Sequence, residues 1–376
     1  MNEIYLDNCA TTKPCQECVD TILNVLTNKY GNPSSLHEKG FDAEQEIESA
    51  RNLIAQILNA QPPEIYFTSG GTEANNMAIF GAINLNKKRG NKIVTTTIEH
   101  SSVYNSIKEL ESAGFEVVYL KPDLNGQILA EKFENAIDQN TIFVSAMMVN
   151  NETGAILPID KIKKFIIQKK SPAIFHIDAV QAFGKLNINV EKLGVDLLSI
   201  SAHKIHGPKG VGALYKRKNV KINPLFFGGE QQKKLRPGTE PVPLIAGFSA
   251  AAKQLDLSLQ NEKIKFLNKY FIQKINNITG ISINSPQNAV PHIINISTNK
   301  IKSETMLHFL SSKKIFISSG SACAKGKKSR VLSEMNLPLR QIETALRISF
   351  SRYNSTDDID QFLTWLDFGM KNLAHI

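Results

Sequence analysis

Short apolar runs that stop at polar or charged residues recur along this chain, and helical patterns separate them. Ile65 to Phe67 runs into Thr68-Ser69-Gly70-Gly71-Thr72-Glu73, and Lys92 to Thr96 leads towards Glu99 and His100. Glu116 to Leu120 ends at Lys121-Pro122, and Ile142 to Met148 ends at Asn150-Asn151-Glu152-Thr153-Gly154. Amphipathic stretches such as Val103 to Leu110 fill the intervals, and an earlier helix carries Ala43, Ile47, Ala50, Ile54 and Ile57 on one face. Parallel strands need a crossover, usually a helix, so this alternation predicts an α/β layer structure with a mainly parallel sheet. Open sheets of that kind bind ligands beyond the carboxyl ends of their strands, which is where the polar residues collect here.

One strand end stands out. Leu197 to Ile200 reads as a buried strand, and Ser201, Ala202, His203 and Lys204 follow where it leaves the sheet. Gly207, Pro208 and Gly210 turn the chain and Val211 to Tyr215 return as a second strand, so Lys204 is held between two rigid elements. An enzyme holds a Schiff-base lysine in this way. Upstream, Phe175 to Gln181 is another short apolar strand, and its Asp178 would be buried by Ile177, Ala179 and Val180 without a partner. A protonated pyridine nitrogen would satisfy that carboxylate, and an Asp facing a pyridinium beside a lysine Schiff base marks pyridoxal phosphate sites. The Thr68 to Asn76 junction offers free N–H groups at a helix start, with glycine where an anion must come close. Alone it reads equally as a plain helix cap. Beside Lys204 and Asp178 it reads as a phosphate cup.

After Gln231 the texture changes. A proline-rich bend, Leu235 to Pro243, precedes a long helical region from about Ala246 to Ile278. Strands His292 to Ser297, Ile315 to Ser318 and Leu346 to Phe350, with helices Ser303 to Leu310 and Asp357 to Leu373, then predict a smaller α+β domain. We expect a large cofactor-binding domain over 16–250 and a small domain formed by 1–15 with 251–376. Within the small domain, Cys323 lies in a Ser, Gly, Ala and Lys segment that cannot pack, where Lys325, Lys327, Lys328 and Arg330 favour its thiolate.

Composition sets limits. The 376 residues, 42% of them hydrophobic, suffice for a full core. The net charge of +9 is spread along the chain and aromatics are only 7%, so direct nucleic-acid binding is not expected. Cys9, Cys15, Cys18 and Cys323 are too few and too uneven for a disulfide framework, which favours a reducing cytoplasm. The lone Cys15-x-x-Cys18 lacks the second pair a zinc site needs, and no metal is expected. No signal peptide and no membrane-spanning run is read near Met1 or elsewhere.

Taken together, the residues resemble the cysteine desulfurases, pyridoxal-phosphate enzymes of the class V aminotransferase superfamily. The likeness runs through Tyr5-Leu6-Asp7, Gly31 to Ser35, Thr68 to Glu73, Glu99-His100, Val149 to Gly154, Asp178 to Gln181, Ser201 to Gly210, Arg236 to Thr239, Ser318 to Cys323 and Leu346 to Arg352. It is nearest the long-loop group that serves iron-sulfur assembly, although the segment after Cys323 is more basic. The resemblance implies the type I fold, with Lys204 bound to the cofactor, Asp178 on the pyridine nitrogen and Gln181 on the ring oxygen. Gly71, Thr72, Ser201 and His203 would hold the phosphate, and Thr239 would reach the phosphate of a second copy in a homodimer. His100 would stack on the ring and move protons, while Asn32, Asn151 and Arg347 would surround L-cysteine, Arg347 clamping its carboxylate. Cys323 would take the sulfur as a persulfide and pass it to an acceptor protein, an iron-sulfur scaffold or a tRNA-thiolation enzyme. A selenocysteine lyase or another class V enzyme would share Lys204 and Asp178; a non-catalytic basic binding protein on the same fold is the remaining alternative.

Overall fold

The computed structural model describes residues 3–320 and 328–375. The chain opens with β1 (Ile4–Tyr5), α1 (Gln16–Asn28) and α2 (Glu38–Leu58). The alternating part follows as β2 (Ile65–Thr68), α3 (Gly71–Asn86), β3 (Lys92–Thr96), α4 (Ser101–Ser112), β4 (Glu116–Leu120) and α5 (Ala130–Ala136). It continues as β5 (Thr141–Met147), α6 (Ile159–Gln168), β6 (Ile174–Asp178), α7 (Val190–Leu193), β7 (Leu197–Ser201) and β8 (Gly212–Lys216). The remainder holds α8 (Val242–Lys253), α9 (Leu257–Ile275), β9 (Ser282–Ile283), β10 (Ile293–Ser297), α10 (Ser303–Ser312) and β11 (Ile315–Phe316). It closes with α11 (Arg330–Glu334), α12 (Leu339–Glu343), β12 (Ala345–Ser349) and α13 (Thr356–Asn372).

Seven strands form one sheet in the order β2-β8-β7-β6-β5-β3-β4. The neighbours β7, β6, β5, β3 and β4 are all parallel, and only β8 runs against its neighbours β2 and β7. Buried on both faces, β5 to β7 read as nearly unbroken apolar runs, the signature of parallel strands covered by helices. Their carboxyl ends therefore share one edge of the sheet. That edge carries the polar residues singled out above.

A second, antiparallel sheet has the order β12-β10-β9, and β1 pairs in parallel with β11. Asp7 extends this region by bridging to Ser349, and Ser318 by bridging to Arg347. Phe271, Phe350, Phe362, Ile294 and Ile348 pack here in a core separate from the one under the large sheet. Ser355 caps α13 with a reciprocal Asp358 contact, fixing where that helix starts.

The long helical region predicted over 246–278 is two helices. Asp256 accepts the Leu259 N–H at 3.0 Å as the cap of α9, and that local bond starts a new helix where α8 has ended. The cysteine pair is structural: Cys15 precedes the first turn of α1 and Cys18 is fully buried, its thiol pushed up to about 12 by burial. Helices α5, α6, α7, α11 and α12 and strand β9 were absent from the sequence reading. Among the described residues no helix is long and apolar enough to cross a membrane.

Candidate active site

The carboxyl ends of β2, β3, β5, β6 and β7 surround a cavity of about 210 Å³, closed from the other core by Cys9, Ala10 and Arg347. At the first of these ends the chain passes through Gly70, whose φ of 152° is a conformation L side chains rarely adopt, and enters α3 at Gly71. A Cβ on Gly71 would lie 2.6 Å from Val180 Cγ2, so only glycine lets this helix start come so close to the β6 end. The Ser201 hydroxyl, which also lines the cavity, is buried without a hydrogen-bond partner among the described residues. Helix-start N–H groups and an unspent hydroxyl make a site for an anion. Glu73 sits in the same first turn, yet its carboxylate is occupied: it accepts from the Ser69 N–H at 2.7 Å and pairs with Arg236 at 2.8 Å. Burial would raise the Glu73 carboxyl, but those bonds hold it below its usual range.

Asp178 ends β6 with only 4% of its surface exposed. One oxygen accepts the Val180 N–H at 3.0 Å and the other accepts Asn75 Nδ2 at 2.8 Å. No cation pairs with it among the described residues. Asn75 was missed by the sequence reading, although it lies one turn after Gly71 on α3 and so shares its face. His100 caps α4: its Nδ1 accepts the Ser102 N–H at 3.2 Å. Burial lowers its pKa against the opposing pull of Asp178, so the ring is neutral and free to lie against a flat ligand.

Lys204 follows β7 in the short turn Ala202–Lys204. Its ammonium donates to the carbonyls of Cys9 at 2.5 Å and Ala10 at 2.7 Å. Burial, helped by Lys185 and Arg347, brings its pKa down to about 8. The same burial holds His203 down to about 4, beside Thr11. These two main-chain carbonyls were not legible as partners of Lys204, since 194 or more residues separate them in sequence.

Arg347 lies on β12 with 1% exposure. It pairs with Asp7 at 2.8 Å and donates to the Asn151 carbonyl at 2.9 Å, while its Nε is buried without a partner among the described residues. Gly71, Thr72, His100, Asn151 and Asp178 thus meet Gln181, Ser201, His203, Lys204 and Arg347 around one cavity. Two expected residues do not join them within this chain. Asn32 is exposed in the loop between α1 and α2, where its Oδ1 accepts the Ser34 N–H at 3.0 Å, and it does not line the cavity. Thr239 is exposed in the bend before α8. Cys323 lies outside the described residues.

These donors fit pyridoxal phosphate. The glycine-lined helix start and the orphaned Ser201 hydroxyl suit its phosphate, the buried Asp178 carboxylate suits a pyridinium, and the Lys204 amine suits an aldehyde.

Comparison with known proteins agrees with this chemistry. The model of the aminotransferase class-V family matches residues 4–362. The chain is 41% identical over 365 residues to the cysteine desulfurase IscS of Methanosarcina thermophila, covering 96% of this chain and 90% of that protein. It is 39% identical over 383 residues to the cysteine desulfurase IscS of Buchnera aphidicola, covering 99% and 94%. Among solved structures, a NifS-like protein superposes with a TM-score of 0.94 at 35% identity, over 99% of this chain and all (100%) of that one. The structure of SspA in complex with cysteine superposes with a TM-score of 0.83 at 35% identity, over 94% and 100%. The chain is a member of the class V aminotransferase family, in the group formed by the cysteine desulfurases.

Proposed function

We propose that this protein is a pyridoxal-phosphate-dependent cysteine desulfurase, which converts L-cysteine to L-alanine and carries the sulfur away on Cys323. The observation that carries the reading is the meeting of Lys204, Asp178 and Arg347 in one cavity. The cofactor, when bound, supplies an aldehyde for amines and a sink for the electrons of a broken bond at the substrate Cα. Gly71, Thr72, Ser201 and His203 would hold its phosphate, Asp178 its ring nitrogen and Gln181 its ring oxygen. His100, which lines the same cavity, would stack on the ring.

Lys204, with its pKa near 8, has a neutral amine that would hold the cofactor and would take the Cα proton of the substrate. Arg347 already spends part of its fork on Asp7 and Asn151, and its Nε side, without a partner among the described residues, would receive the substrate carboxylate with Asn151 beside it. The Cys323 thiolate attacks the sulfur of the bound cysteine: a sulfur–sulfur bond forms and the carbon–sulfur bond breaks. L-cysteine plus the Cys323 thiol gives L-alanine plus the Cys323 persulfide, so no outside oxidant is needed. The sulfur then passes to an acceptor protein, an iron-sulfur scaffold or a tRNA-thiolation enzyme, in the cytoplasm.

Thr239, exposed and away from the cavity of its own chain, reaches the phosphate held by a second copy, so the working unit is a homodimer. The catalytic groups then lie between a large domain, 16–250, and a small one, 1–15 with 251–376. The test is alanine formation from L-cysteine by the purified protein loaded with pyridoxal phosphate. Wild type forms alanine and Lys204→Ala does not; equal rates in both proteins would overturn the reading.

A further inference from the structure

Lys185 is a buried lysine that the reaction above does not use. Its side chain is 8% exposed, and among the described residues no carboxylate lies within ion-pair distance of its Nζ. Lysines are rarely buried this far without a charged partner, because desolvation opposes the ammonium; here burial lowers its pKa. What Nζ does reach is an amide: it donates to Gln181 Oε1 at 2.9 Å, four residues back along the chain. On its other side Gln181 donates from Nε2 to the Cys9 carbonyl at 3.0 Å, the same oxygen that receives Lys204.

A carboxamide can be turned over at little cost unless its neighbours oppose it. These neighbours do. Lys185 Nζ donates to Oε1 and the Cys9 carbonyl can only accept, so Lys185 on one side and Cys9 on the other favour a single orientation. The second hydrogen of Nε2 is left for the cavity that Gln181 lines. Without Lys185 only the Cys9 carbonyl still opposes the flip, so the flipped amide, which turns an acceptor instead of a donor to the cavity, becomes more accessible.

We propose that Lys185 is a positioning residue that fixes the Gln181 amide with an N–H towards the cavity, selecting a ligand that carries an oxyanion at that point. The inference rests on the cofactor reading above, in which that oxyanion is the ring oxygen of pyridoxal phosphate. Its test is equilibrium binding of two probes to the full chain freed of cofactor: pyridoxal phosphate and the analogue that lacks the ring hydroxyl.

Lys185→Met is expected to weaken pyridoxal phosphate about tenfold, the worth of one hydrogen bond to a charged group, and the analogue less than about twofold. Placed in a Gln181→Met background, Lys185→Met should add no further loss, because it acts through that amide. Equal losses for both probes, or a full loss that persists in the Gln181→Met background, would overturn the proposal. If Lys185→Met does not fold, Gln181→Glu keeps a partner for Lys185 while removing the N–H; it should abolish discrimination between the probes, and unchanged discrimination again overturns the proposal. A wild-type protein that binds neither probe removes the cofactor reading and this inference with it, whereas binding without the expected coupling removes this inference alone.

Discussion

The guanidinium of Arg330 lies 3.7 Å above the ring of Tyr104, and it donates to the main-chain carbonyls of Thr97 and Glu99. Next to it, Ser329 donates to the buried Glu152 carboxylate at 2.5 Å. The chain just beyond residues 321–327 is thereby fastened to the turn that presents His100. Ser318, on the near side of the same stretch, bridges to Arg347 on β12. Both attachments of the Cys323 segment are made to walls of the candidate active site.

Arg330→Ala removes a cation–aromatic contact and two charge-assisted hydrogen bonds. A loss of about 2–4 kcal/mol in unfolding free energy is expected from denaturant titration. Arg330→Lys should recover less than half of it, since an ammonium cannot serve both carbonyls in the plane of the ring. A change below about 0.5 kcal/mol for either variant would show that the clamp is idle.

Gly71 is tested by a pair of substitutions. Its added Cβ would press on Val180 Cγ2 at 2.6 Å, so Gly71→Ala should weaken pyridoxal phosphate binding by tenfold or more. Val180→Ala in the same protein removes the obstructing methyl and should restore most of the affinity. A binding titration that shows no rescue would mean that the glycine serves the phosphate directly and not the helix–strand approach.

The amine of Lys204 reacts only when neutral. With its pKa near 8 instead of the lysine value of about 10.4, capture of pyridoxal phosphate by cofactor-free protein should accelerate with pH and level off above about pH 8. Stopped-flow absorbance at a series of pH values gives the midpoint. A midpoint above pH 10 would contradict the burial argument.

Burial also governs acid stability. His176 sits between Ser145 and Ser199 on adjacent strands and is held down to about 3, as is His292; His203 and His206 are held down to about 4. Their folded pKa values lie below the unfolded value of about 6.5, so the stability they contribute is complete above that pH and is lost as pH falls towards 4. The slope is about 1.4 kcal/mol per pH unit for each histidine that stays neutral in the native state. Urea midpoints between pH 7 and 4.5 should fall accordingly, and less steeply in a His176→Gln variant.

What the sequence made legible is local. Polar residues at strand ends, the glycine turn before α3 and the turn carrying Lys204 are set by neighbours within a few positions, and Asp178, Ser201 and Lys204 all line the cavity. Contacts joining distant segments left no such trace: Asp7 with Arg347, Cys9 with Lys204 and Gln181, Glu152 with Ser329. Asn75 was within reach, because its one-turn spacing from Gly71 places it on the cavity side of α3. The break before α9 was likewise written in Asp256, a capping residue hidden inside a long helical pattern. Asn32 shows the opposite limit: its place in a familiar motif said nothing about its position in an exposed local turn outside the lining of this chain's own cavity.

Intact-mass and peptide mass spectrometry after a single turnover with L-cysteine, before any reductant is added, tests the central claim most directly. We expect one added sulfur atom on Cys323, with alanine formed in equal amount, and neither product in Cys323→Ala or Lys204→Ala. Alanine formed at the wild-type rate by Cys323→Ala, or sulfur recovered only as free sulfide with Cys323 unmodified, would contradict it.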